Sequence, residues 1–122
     1  MSLLVLSAND VSVISSTFTS NALTSLMALV FARLRVPENA AVPHRTAIST
    51  DTYNTLFMPA QVPGFGTAIK IVSIPSPSSG NLKKGGIPAT TVILDEQTGA
   101  AKAVINARSL TALRTAAGEW RF

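Results

Sequence analysis

The sequence contains no cysteine. That excludes disulfides, thiolate metal sites and cysteine nucleophiles, and it fits a reducing compartment such as the cytoplasm. A single histidine, His44, excludes a multi-histidine metal centre. Charge is scarce: Asp, Glu, Lys and Arg make up 13% of the chain, about half the usual share. A surface so poor in charge leaves apolar and hydroxyl-bearing area for a partner to cover. Glycine-rich nucleotide signatures are missing as well. No G-x-G-x-x-G follows a strand pattern, and Gly64-Phe65-Gly66 opens a strand rather than a helix. Neither a P-loop nor a G-x-S-x-G is present. The six acidic residues are spread along the chain, so no self-contained catalytic site is visible.

What is present suits one globular domain. The chain has 122 residues, 47% of them hydrophobic, enough to build a core. The formal charge is +4, but the ten Lys and Arg residues are scattered and only Lys83 and Lys84 adjoin. No basic stripe interleaves with aromatics, which argues against nucleic acid as a partner. Met1 leads directly into Ser2-Leu3-Leu4-Val5-Leu6 without a basic region, unlike a secretory signal. Val11 to Ala32 carries no charge, yet its many Ser, Thr and Asn residues argue against a membrane span.

Leu3 to Leu6 reads as a strand. Ser7, with Asp10 three residues later, caps a short helix over Ala8 to Ile14. Thr19 or Ser20 caps a second. There Leu23, Leu26, Met27, Val30, Phe31 and Leu34 repeat at helical spacing, and Pro37 ends the pattern. Strands follow at Arg45 to Ser49 and Thr55 to Met58, the latter ended by Pro59. Pro63 to Gly66 turns the chain into a strand over Ala68 to Ile74. Pro75 to Pro88 reads as a loop. Thr90 to Leu94 and Ala100 to Ile105 form a hairpin about the Asp95–Gly99 turn, and Ser109 to Ala117 is helical. The expected fold class is α+β, a mainly antiparallel sheet with helices packed on it.

Three cations stand out. Lys70 shares a strand face with Val72 and Ile74, where a lysine is costly unless an anion meets it; the alternative is an edge lysine that discourages aggregation. Arg114 shares a helix face with Thr111 and Thr115, a set able to grip a carboxylate or simply to face solvent. Arg45 starts a strand beside Pro43-His44, a rigid mount for a side chain. His44 is either a proton-transfer group or a plain loop residue.

Several segments, in order, resemble the ornithine cyclodeaminase/mu-crystallin family. Pro43-His44-Arg45-Thr46 is similar to its Pro-x-Arg segment, and Phe57-Met58-Pro59-Ala60 to its Met-Pro segment. Gly66 to Ser73 resembles its G-x-K-x-V strand, with a longer spacing before Lys70. Leu94-Asp95-Glu96-Gln97-Thr98-Gly99 matches its aspartate-x-x-threonine-glycine hairpin. Leu110-Thr111-Ala112-Leu113-Arg114-Thr115 matches its helix nearly letter for letter.

The resemblance implies a first domain that binds an amino- or imino-acid carboxylate and forms a homodimer. Arg45, Lys70 and Arg114 would grip the carboxylate, with Lys70 also placed to move a proton. Thr90, and again Arg114, would reach toward the cofactor. NAD or NADP belongs to a following Rossmann domain and is not expected to bind this chain. The resemblance implies a parent reaction that is NAD(P)-dependent oxidation of an amino acid to an imine or reduction of a cyclic imine; in the cyclodeaminase itself, hydride leaves Cα, the side-chain amine attacks the imine, ammonia departs and proline forms. Two departures are visible. The stretch Gly85 to Thr91 is shortened, and after Ala117 the sequence reads Gly118-Glu119-Trp120-Arg121-Phe122 instead of running on with small apolar residues. The resemblance therefore implies a member cut before its dinucleotide half. Residues 1–117 would be the substrate-binding and dimerisation domain and 118–122 a divergent tail, without metal, nucleic-acid or membrane partners. The other reading is a stand-alone, non-catalytic carboxylate-binding or dimerisation module.

Overall fold

A computed structural model describes residues 2–35, 41–77 and 87–110. Both helix starts form as the sequence prescribes. Ser7 Oγ accepts from the Asp10 N–H at 3.1 Å, and Asp10 accepts from the Ser7 N–H at 2.9 Å, a closed capping box. It opens α1, Ala8–Ser15. Thr19 is the cap of α2, Ser20–Leu34, accepting from the Ala22 N–H at 3.1 Å. Helical backbone resumes at 108–110, where Ser109 to Ala117 was expected; residues 111–117 lie outside the described residues, as does Pro37.

Six strands make one sheet: β1 Leu4–Leu6, β2 Thr46–Ser49, β3 Tyr53–Val62, β4 Gly66–Pro75, β5 Ala89–Leu94 and β6 Ala101–Asn106. Their spatial order is β1-β6-β5-β4-β3-β2. Every pairing is antiparallel except β1 with β6, which is parallel. The mainly antiparallel α+β expectation therefore holds.

One strand runs further than its sequence suggests. Pro59 does not end β3, which continues to Val62. The reason is edge geometry. Gln61 directs both its N–H and its C=O outward to Ala41, at 2.8 and 2.9 Å. Backbone alternation gives Pro59 the same outward direction. The β2 ladder has already stopped at Phe57, so the missing proline N–H falls in the gap before Ala41.

Register sorts the sheet residues onto two faces. The first face carries the core. Val72, Ala89 and Ala107 form its buried cluster, with Met58 and Leu110 packed against it. Of the buried sheet residues described, Val62, Val72, Ala89 and Ala103 take this face and only Thr55 takes the second. Thr55 is satisfied by Ser73, hydroxyl to hydroxyl at 2.9 Å. Across the second face the register aligns an apolar row: Pro59, Ile69, Val92, Val104 and Val5, one from each of five strands. Val5 at its end is 64% exposed.

Helix α2 lies against β3 and holds the β3–β4 hairpin. Arg33 donates to the Pro63 carbonyl and lies over the Phe65 ring, 5.0 Å from its centroid. Gly64 turns there at φ +83°, and a Cβ at that position would strike Arg33. The apolar series along α2 is only partly used. Met27 is buried and Leu23, Val30 and Phe31 half-buried, but Leu26 and Leu34 face solvent, as does Leu29. The series spans a wider arc than β3 covers.

Candidate carboxylate site

Lys70 sits in the middle of β4, half-buried. Met58 stands opposite it on β3 and Thr91 on β5. The same row continues through Ile105 of β6 to Leu6 of β1. All of these share the first face with Val72 and the core cluster. The alternation expected for Lys70 is thus realised, and β4 is an interior strand, so the edge-lysine alternative does not apply.

Arg45 immediately precedes β2. Thr46 pairs with Phe57 as the last rung of the β2–β3 ladder, so Arg45 stands just beyond that rung, next to the Phe57–Met58 end of the pairing. β2 lies two strands from β4, so the start of β2 and the Lys70 strand are roughly 10 Å apart across the sheet. His44 and Arg45 are both exposed. Arg114 lies outside the described residues. Leu110, four positions before it, packs on the cluster that also holds Met58.

Thr90 is not in this row. It pairs with Ile71 and points to the second face. Thr91, which the sequence reading passed over, is the hydroxyl that faces Lys70's side. The signal was parity: Thr91 alternates with Ala89 and Ile93, and only the register with Lys70 makes that decisive.

Other polar groups are occupied with the fold. Asp95 Oδ1 accepts from the N–H groups of Gln97 and Thr98 at 3.0 and 2.9 Å and from the Thr98 hydroxyl at 3.1 Å. Its carboxyl is held below the usual range first by the Thr98 N–H and then by that of Gln97. Gly99 completes the turn at φ +74°. Asp10 is likewise lowered, chiefly by the Ser7 N–H. Both carboxylates serve turns and caps rather than proton transfer. Among the described residues no group of three His, Asp or Glu side chains is placed to hold a metal. Nor is any single described helix long and apolar enough to cross a membrane.

Beside the row, α1 and the sheet border an open apolar cleft of about 160 Å³. Leu6 and Ile105 form its sheet side, and Val11, Ile14, Phe18 and Leu110 surround them.

No known family profile and no curated protein matches the sequence. Solved structures do. An archaeal alanine dehydrogenase dimer with bound NAD superimposes at a TM-score of 0.79, with 24% identity over 96% of this chain. The Δ1-pyrroline-2-carboxylate reductase of Thermococcus litoralis, solved with NADH and L-proline, gives 0.77 and 25% over 98%. A lysine cyclodeaminase, solved for recognition of L-lysine, L-ornithine and L-2,4-diaminobutyric acid, gives 0.74 and 26% over 96%. By fold, the chain is similar to the first part of ornithine cyclodeaminase-type enzymes. It spans about 35% of the length of these neighbours. The cyclodeaminase resemblance expected from the motifs is therefore matched by a likeness in three dimensions covering nearly the whole chain.

Neighbours with this cyclodeaminase fold hold NAD or NADH. The residues described here do not form a dinucleotide cradle of the usual kind. Both α1 and α2 open on hydroxyl caps, Ser7 and Thr19, and the positive-φ glycines Gly64, Gly66 and Gly99 belong to hairpins.

Proposed function

We propose that this chain is the acid-binding and subunit-pairing part of an NAD(P)-dependent amino-acid enzyme of dehydrogenase, imine-reductase or cyclodeaminase type. The observation that carries the reading is the place of Lys70 in mid-strand on the core side of the sheet, between Met58 and Thr91, with Arg45 leading into β2 two strands away. Two cations so spaced can hold one α-carboxylate, and Arg114 is assigned as the third. A fixed carboxylate fixes the direction of the Cα–H bond, which is what a hydride-transferring partner domain requires. The unit runs over residues 1–117. The reading places the protein in cytoplasmic amino-acid metabolism.

The pairing role rests on the apolar row of the second face. A second copy laid on it would cover Ile69, Val92 and Val104 together.

Titration of the purified chain with pyruvate and L-alanine, followed by amide chemical shifts, tests the acid-binding role. Saturable shifts are expected around Lys70 and Met58, weakened tenfold or more by Lys70→Met. Absence of saturable binding, or binding indifferent to Lys70, overturns it. The second-face row also favours another reading, a non-catalytic dimerisation module. Dimers in sedimentation that bind no acid would support that instead.

A further inference from the structure

The cation row and the apolar cleft are parts of one surface. Lys70 pairs with Thr91, Thr91 with Ile105, and Ile105 with Leu6. The last two are the sheet side of the cleft. From Lys70 the floor of the cleft is therefore two strand spacings away, roughly 10 Å, along a single line on one face. Only Thr91 lies between.

The chemistry changes along that line. It begins with the ammonium of Lys70, passes a hydroxyl, and ends among Leu, Ile, Val and Phe side chains. The one hydroxyl residue of the cleft, Ser15, donates to the Ser12 carbonyl at 3.2 Å, so its polarity is turned into its own helix. A cleft of about 160 Å³ is the size that accepts a branched or benzene-sized hydrocarbon group.

Resting on the carboxylate-binding role proposed above, we infer that the ligand is an α-keto or α-amino acid with a branched or aromatic hydrocarbon side chain. Its carboxylate meets Lys70, its α-substituent passes Thr91, and its side chain fills the cleft over Ile105 and Leu6. A ligand charged at its far end would place that charge among Val11, Phe18 and Leu110 without a partner. The cleft thus selects against basic side chains.

The test compares three small molecules on the purified chain by titration calorimetry and amide shifts. These are pyruvate, 4-methyl-2-oxopentanoate, and the neutral ketone 4-methylpentan-2-one. The branched keto acid is expected to bind roughly tenfold or more tighter than pyruvate, from the extra buried carbons. Its shifts should include Ile105 and Leu6 as well as Lys70. Ser15→Phe, which fills the cleft from α1, is expected to collapse the difference between the two acids. Lys70→Met is expected to weaken both.

Equal affinity for the two acids, with Lys70 still required, overturns the side-chain assignment and leaves carboxylate binding standing. Ketone binding as tight as that of the branched acid shows an apolar cleft unconnected to Lys70, and also overturns it. Retention of the preference in Ser15→Phe does the same. If neither acid binds, the carboxylate role fails and the inference fails with it.

Discussion

Lys70 and Thr91 stand directly across from each other in the β4–β5 ladder, on the face that carries the core. Thr90, one residue earlier, faces the other way and pairs with Ile71. A single step of parity therefore separates a hydroxyl that can share a ligand with the lysine from one that cannot. Lys70→Met is expected to weaken carboxylate binding about tenfold to a hundredfold, in line with loss of a charge-assisted hydrogen bond. Thr91→Val should cost severalfold and Thr90→Val nothing measurable. Chemical-shift titration of the three variants reads this directly; a larger effect at position 90 than at 91 would reverse the assignment.

The second-face row gives a different expectation. Ile69→Lys or Val92→Lys places a charge in the middle of an apolar line that runs across five strands. Both side chains are half-buried, so the sheet has room to keep its own structure. Sedimentation should show the dissociation constant of any dimer rising roughly tenfold or more, the scale of a central interface residue. Circular dichroism should be unchanged. A dimer indifferent to both substitutions would place the interface elsewhere.

Thr19 bonds the Ala22 N–H at the start of α2. Thr19→Ala should lower stability by about 1 kcal/mol, and Thr19→Asn should restore most of it. Urea midpoints at constant slope measure both. Equal stability of all three proteins would mean that α2 is held by its contacts alone.

Acid should act through two turns. The carboxyls of Asp10 and Asp95 lie below their ordinary value of 3.8 in the folded protein. Their contribution is therefore fully present above about pH 4 and is lost as pH falls through the lowered values. Asp95→Asn keeps an oxygen for the Gln97 and Thr98 N–H groups but removes the charge. Stability measured from pH 6 downward should fall less steeply in that variant below pH 4. A parallel curve would assign the acid sensitivity to other groups.

Local chemistry made much of this fold legible. The Ser7–Asp10 box, the Thr19 cap and the Asp95–Gly99 turn each depend on residues within a few positions of one another, and all three form as the sequence indicates. The core-side face of Lys70 was legible from alternation. What was not legible depends on partners distant in sequence. Pro59 continues a strand because of where β2 ends and where Ala41 returns. Thr91 rather than Thr90 joins Lys70 because of a register that no local pattern specifies. The family resemblance supplied the cation trio, but only the strand order brings β2, which Arg45 leads into, within two strands of Lys70, and Arg114 lies outside the described residues.

The parallel pairing of β1 with β6 has a kinetic consequence. Leu4 meets Ala103, so β1, the earliest of the six described strands, waits for all the others to be synthesised before it can bond. Until then Leu3, Leu4 and Val5, uncharged and apolar, have no ladder to join. Closing so long a loop is slow, and the step contributes late in folding. A nascent chain released before residue 105 would display that strand unpaired, as a target for chaperones or for another chain's sheet edge.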